Sequence, residues 1–537
     1  MPFPMIARSL ARATALLGAL AAGATAPLPA QTAPRSAAIL ILRGNDTLVV
    51  ERVRRTATTV TATVAVINQP QMDLEYTLGP VHSIPRTAFA VRGVNAPVDA
   101  APLQSGTVTF VGDSAILEMR GGGASRGLRL GTRVGALPVV NNDFVVLEQA
   151  VRRAKGLGVR TLTVPLFTLS GGATIDGVLD LVGSDSAHFK LGNNVTEVSL
   201  DADGNVTGGV LPAQGMRIVV VVGAAANAVS LGRPDYSAPA GAPYTAEEVT
   251  VRTPAGHVLT GTLTRPTGTT APVPAVVTIT GSGAQDRDEY IAVAGGWRIF
   301  RQVADTLGRR GIAVLRLDDR GVGGSGGDVN GTSADFADDI RAGIAFLRSR
   351  PDIDPARIGL VGHSEGGLIA PMVARSDARL AAVVLMAGPA YTGRQIIDYQ
   401  IRNGVMGDSS VRTAAKDSAV AANKAMFDST SAKLTWMKYF LDYDPIPTAR
   451  AVEQPVLILQ GATDQQVRAE EASLLERALA AGGNRRVTVS VMPGRNHLFL
   501  RDPVGHPSGY AKLTDPKVDG EVLGALADWL ALTLRVP

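Results

Sequence analysis

The chain has 537 residues, 45% of them hydrophobic and 19% charged, enough for several packed cores and too apolar for a mostly disordered protein. It contains no cysteine, which excludes disulfides, zinc–thiolate sites, iron–sulfur clusters and thiol nucleophiles. With 52 Lys+Arg against 48 Asp+Glu the net charge is +4, and without blocks of like charge nucleic acid is not an expected partner.

In chain order, Arg8 and Arg12 precede an apolar run from Ala13 to Ala22, and small residues continue through Ala26 to Ala30. This layout predicts a signal peptide over residues 1–30, cleaved near Ala26 or Ala30. The run is too short to cross about 30 Å of hydrocarbon. The mature protein is therefore expected to be periplasmic or secreted, without stable membrane insertion.

Residues 31–240 read as a β-rich domain. Short β-branched runs such as Thr47–Val53, Thr59–Val66, Ser114–Met119 and Met216–Val222 are separated by turn residues. Asp203-Gly204-Asn205 predicts a hairpin turn. The loop beginning at Asp201 lacks the glycine and the acidic twelfth ligand of a calcium loop, so it reads as a plain turn. One helix, capped by Asn142 or Asp143, is expected to end near Lys155. The expectation is an antiparallel, barrel-like or curved sheet with a single helix.

A Pro/Ser/Gly/Ala linker, Arg233 to Pro243, leads into a second domain over residues 241–537. Strands and helices alternate there, which predicts an α/β fold with a doubly wound, mainly parallel sheet. Gly362-His363-Ser364-Glu365-Gly366-Gly367 follows the apolar strand Ile358–Val361 and precedes a helix-compatible run. Strand, G-x-S-x-G, helix is a nucleophile elbow: a tight turn that needs glycines and lifts the serine hydroxyl to a helix N-terminus.

A serine at its ordinary pKa needs a base and an orienting acid. Of the six histidines only His497 and His506 lie late enough for the order serine, acid, histidine, and His497 directly follows a strand. His506, in a polar stretch with Pro and Gly, reads as a loop residue. Asp464 follows the strand Pro455–Gln460, whereas its rivals Asp442 and Asp444 precede that strand. A second oxyanion donor is expected on the loop Gly281-Ser-Gly-Ala-Gln-Asp-Arg-Asp288, from the N–H of Ser282 or Gly283, beside the N–H of Glu365. Gly321-Val-Gly-Gly-Ser-Gly326 matches a dinucleotide fingerprint, but no helix starts within it and no acid ends a following strand, so it reads as a tight loop. Tyr391–Arg450 lies between two sheet strands and holds helix-compatible stretches, a possible cap over residues 391–450.

Together these motifs resemble the α/β-hydrolase family, and more narrowly its bacterial serine esterases with a GHSEGG elbow. The resemblance covers about Pro243 to Pro537. Gly281–Asp288 is similar to the oxyanion loop of a group of bacterial carboxylesterases, Leu317–Ser325 to the loop after the next strand, and Gln460–Val467 to the acid loop. It implies Ser364 as nucleophile, Asp464 as acid and His497 as base, with a small-molecule ester as partner and no cofactor or metal. The β-rich domain has no counterpart in the minimal fold, and its roughly 210 residues without repeats are too few for a propeller. An amidase or aminopeptidase with the same triad is one alternative. A ligand-binding protein whose main function lies in the β-rich domain is another. Oligomeric state is left open.

Overall fold

A computed structural model describes residues 35–535, apart from 45, 68, 94–100, 122–123, 170–171, 193, 232–233, 292–293, 409–410, 430 and 514. The expected leader lies outside the described residues. Among them, no helix is long and apolar enough to cross a membrane.

The β-rich region forms one sheet of fifteen strands, β1 (Arg35–Arg43) to β15 (Met216–Val222). Turn residues return the chain after each short run, so sequence neighbours are sheet neighbours. One meander runs from β1 out to β8 (Ala124–Gly131), and another from β9 (Leu137–Val139) to β15. They meet in the antiparallel β1–β15 pair, where Ile41 faces Ile218. The β9–β10 pair (β10, Thr161–Thr168) is parallel, and among the described residues the ladder ends at β8 and β9 without closing. Burial alternates as a one-sided sheet requires: in β3 (Thr59–Val66), Val60, Ala62 and Val64 point inward. The Asp203-Gly204-Asn205 turn joins β13 (Asn194–Leu200) to β14 (Val206–Leu211), and Asp201 accepts from the backbone and side-chain N–H of Asn205.

The one α-helix among the described residues of this region, α1 (Val145–Leu157), packs its Val145, Leu147, Ala150, Val151 and Ala154 against the sheet core. Its first turn is held by carboxylates. Phe144 N–H donates to Glu51 at 3.0 Å and Val145 N–H donates to Asp143 at 2.9 Å. Glu148 takes a two-point fork from Arg55 and also accepts from Val206 N–H.

The second sheet has eight strands in the order β16-β17-β21-β18-β22-β23-β24-β25. These are β16 (Tyr244–Arg252), β17 (Val258–Pro266), β18 (Val273–Ile279), β21 (Ala313–Leu317), β22 (Ile353–His363), β23 (Ala382–Met386), β24 (Val456–Gly461) and β25 (Val487–Met492). Two short strands, β19 (Tyr290–Ile291) and β20 (Trp297–Arg298), pair with each other. β17 is antiparallel to both neighbours, and the strands from β21 to β25 run parallel. The parallel strands are apolar on both faces because helices cover both. Val276, Val314, Val361, Val384 and Leu457 face α2 (Ile299–Gly308) and α10 (Gly520–Thr533). Val277, Leu315, Leu360, Val383 and Ile458 face α3 (Ser333–Ser349), α4 (Glu365–Ala374) and α9 (Glu470–Ala481).

Between β23 and β24 the chain inserts α5 (Gly393–Gly407), α6 (Lys416–Ser429), α7 (Thr435–Asp442) and α8 (Pro445–Ala449). The strand order reverses around β18, whose neighbours β21 and β22 come from opposite directions of winding. A crevice therefore opens at the carboxyl ends of β18 and β22, the place where such sheets bind ligands.

Candidate active site

The predicted site residues sit at that carboxyl edge, Glu365 at the start of α4 and the others in the turns and loops beside it. Ser364 follows β22 and is the N-cap residue of α4, with φ 54° and ψ −118°, a conformation costly for a residue with a side chain. The elbow can be this tight because a Cβ at Gly362 would lie 2.1 Å from Gly366 O, and one at Gly366 would lie 2.1 Å from Ile279 O. The turn aims the hydroxyl at His497, with Ser364 Oγ 3.1 Å from His497 Nε2. His497 Nδ1 is 2.8 Å from Asp464 Oδ2.

Asp464 is nearly enclosed, and every contact it makes is with a donor. Oδ2 also accepts from Gln460 Nε2 at 3.0 Å, and Oδ1 accepts from the N–H groups of Gln466 and Val467 at 2.7 and 3.0 Å. These donors fix the carboxylate plane and so the imidazole that it holds. Asp444 instead caps α8 through Ile446 N–H, and Asp442 lies exposed at the end of α7. His506 is half-buried, caps a short turn through Ser508, and adjoins Pro507 at the rim of the crevice.

Glu365 is the first residue of α4, so its N–H has no intrahelical acceptor, and it directly follows Ser364. The loop after β18 passes directly over the elbow, where a Cβ at Gly281 would come within 3.2 Å of Ser364 Cβ. Ser282 lines the same cavity as Ser364 and His497. Gly283 instead lines a separate cavity of about 30 Å³ behind it. Of the two donors that the sequence left open, Ser282 shares its cavity with the hydroxyl.

The two aspartates of Leu317-Asp-Asp-Arg hold this loop. Asp319 accepts from Thr280 Oγ1 at 2.7 Å and from Gln285 N–H at 3.0 Å. Asp318 takes a fork from the Arg287 guanidinium at 3.0 and 2.8 Å. Burial pushes the Asp319 carboxyl well above its ordinary range. The linker docks here too: Tyr236 donates to Asp286 at 3.0 Å, and Arg287 lies over the Tyr236 ring. The glycine-rich segment Gly321–Gly326 is a closed loop, with Gly321 N–H on Gly326 O, and α3 starts well beyond it at Ser333.

The cavity above Ser364 is about 370 Å³. The helical insertion roofs it with Ile396, Ile397, Trp436, Met437 and Phe440. Glu365 ties roof to floor, since its carboxylate accepts from Trp436 Nε1 at 2.9 Å and from Ser333 Oγ at 2.5 Å. Burial raises the Glu365 carboxyl above its usual value, while hydrogen bonds from Ser333, Trp436 and Ser282 pull it back down. The Trp436 contact and the buried pair Glu289–His363 beneath the elbow are site features that sequence spacing did not reveal. His363 stood in the motif, but its partners are remote in the chain.

Residues 296–504 match the family model described as serine aminopeptidase, S33. Over 309 residues the chain is 26% identical to esterase EstD of Thermotoga maritima, spanning 55% of this chain and 69% of that one. Over 207 residues it is 30% identical to an uncharacterized peptidase of Bacillus subtilis, spanning 37% of this chain and 28% of the other. A solved esterase of Pyrococcus furiosus superposes with a TM-score of 0.39 at 17% identity, over 57% of this chain and 96% of that one.

Proposed function

We propose that this chain, which matches a hydrolase family model over residues 296–504 and has an esterase among its relatives, is an α/β-hydrolase with an added β-rich N-terminal region, and an exported serine hydrolase of carboxylic esters. The observation that carries the reading is the relay from Ser364 Oγ to His497 Nε2 and from His497 Nδ1 to Asp464, inside a cavity beside the Glu365 N–H. Ser364 attacks the ester carbonyl while His497 takes its proton. The N–H groups of Glu365 and Ser282 hold the oxyanion. His497 then gives the proton to the leaving alcohol, and water attacks the acyl-enzyme by the same route. Asp464 keeps the tautomer and stabilises the imidazolium.

An amidase or aminopeptidase with this relay is the rival reading, favoured by the peptidase description of the matching family. An aminopeptidase must hold a substrate ammonium on an uncommitted carboxylate. Glu365 is committed to Trp436 and Ser333, and Glu289 to His363, which supports the ester reading. Export rests on the leader-like residues 1–30. Ser364→Ala is expected to abolish p-nitrophenyl acetate hydrolysis with an unchanged circular dichroism spectrum, and comparing acyl esters with aminoacyl anilides separates the two classes.

A further inference from the structure

His363 directly precedes the nucleophile and takes no part in the relay. Its side chain is almost wholly enclosed, with the rings of Trp297, His497 and Phe499 around it at centroid distances of 5.4, 5.0 and 6.2 Å. Nδ1 lies 2.7 Å from Glu289 Oε1, and Nε2 lies 3.0 Å from the backbone carbonyl of His497. Both partners are acceptors. A neutral imidazole has one N–H and one lone pair, so it would satisfy one oxygen and turn its lone pair on the other. Two acceptors require two N–H donors.

We propose that Glu289 holds His363 as a buried imidazolium, and that this charged pair is a positioning device that sets the loop of the base His497 against the nucleophile. The proposal rests on the triad reading above. Both residues act through His497 and are positioning residues.

Three loops meet at the pair, and each carries a non-glycine residue at positive φ: Glu289 at 54°, Ser364 at 54° and Phe499 at 55°. Such backbone persists only where its surroundings over-determine it. Gly281 lets the oxyanion loop close over the pair, because a Cβ there would lie 2.7 Å from Glu289 Oε1. The next residue, Tyr290, is buried in the core of the β-rich sheet, with Arg298 stacked on its ring and paired to Asp46 of β2 (Asp46–Arg55). Glu289 is therefore pinned from both sides.

The titratable groups facing the pair are Asp464, across the His497 ring, and Asp319, beside Glu289. Burial opposes charge on His363, but Glu289, the His497 carbonyl and Asp464 outweigh it, so its pKa is raised. His363 is thus charged below that raised value and neutral above it. The base must be neutral to accept a proton. Turnover then requires neutral His497 with charged His363, and loss of the second proton gives an alkaline limb.

Glu289→Gln is the decisive variant in the full chain. Its amide can donate to a neutral Nδ1 while Nε2–H still reaches the His497 carbonyl, so shape is kept and charge removed. Low-field proton NMR at pH 7 is expected to show two His363 N–H signals, both absent in His363→Gln, and only one in Glu289→Gln. The Glu289→Gln enzyme should lose about 10- to 100-fold in kcat, with KM within about two-fold and no alkaline limb. A single N–H signal in the unaltered protein, which would place the proton on Glu289, overturns the proposal. So does an unchanged pH profile in Glu289→Gln. The triad reading is separated by fluorophosphonate labelling of the same variant, which should be slower yet still at Ser364. Labelling elsewhere would refute the triad while leaving the NMR signature of the pair standing.

Discussion

The two sheets give their buried carboxylates different partners. Under α1 of the β-rich sheet, Glu51, Asp143 and Glu148 crowd together, and Arg55 forks only onto Glu148. Burial, followed by the neighbouring Asp143, pushes Glu51 well above its ordinary value, and burial also raises Asp143. That cluster holds the first turn of a helix, with Glu51 accepting from Phe144 N–H and Asp143 from Val145 N–H. At the edge of the second sheet the carboxylates face nitrogen donors. Asp464 meets four donors, Glu289 meets an imidazole, and Asp318 meets a guanidinium fork.

The largest effect should come from breaking the second arrangement at its acid. Asp464→Asn leaves the shape and reverses the donor pattern toward His497 Nδ1, so kcat should fall by about 10⁴-fold, with little change in the thermal midpoint. Steady-state kinetics on an activated ester checks this, and a fall under ten-fold would place the orienting acid elsewhere. The Glu289→Gln loss is expected to be the next largest, because it acts through the loop of the base and not on the base itself.

Glu51→Gln tests the other side of the comparison. An acid whose folded pKa is raised contributes its stability fully below its unfolded value, here about 4.5, and loses it as pH climbs through the folded value. Thermal melts of the unaltered protein should therefore fall from pH 5 toward pH 8 by an amount that Glu51→Gln removes. Gln can still accept from Phe144 N–H, so at pH 8 the variant should match or exceed the parent, and a steeper fall in the variant would contradict protonated burial. The smallest effect is expected at the roof. Trp436→Phe deletes the N–H that reaches Glu365 and keeps the aromatic face. KM should change by a few-fold, corresponding to about 1 kcal/mol for one hydrogen bond, most visibly across an acyl-chain series.

What was legible in the sequence follows from locality. β18, β23 and β24 are largely apolar runs because helices cover both faces, and such runs stand out in a sequence. Ser364 was legible because the elbow needs glycines within a few residues of it. His497 and Asp464 followed from the scarcity of histidine and from chain order. In the β-rich region, β4 (Gln71–Gly79) and β5 (Ser83–Arg92) escaped, since few of their residues are buried and Pro85 interrupts the second. Their hydrophobic alternation is too weak to distinguish them from loop. The Glu289–His363 contact spans 74 residues and the Trp436–Glu365 contact 71, distances at which no spacing rule operates. Chain order removed His363 as a base but could not say what its two nitrogens touch.

The most direct test of the central claim is to treat the full-length protein with a fluorophosphonate and locate the adduct by peptide mass spectrometry. A single adduct on Ser364, absent in Ser364→Ala together with ester turnover, is the predicted result. An adduct on another residue, or a Ser364→Ala enzyme that still turns over ester, would contradict it.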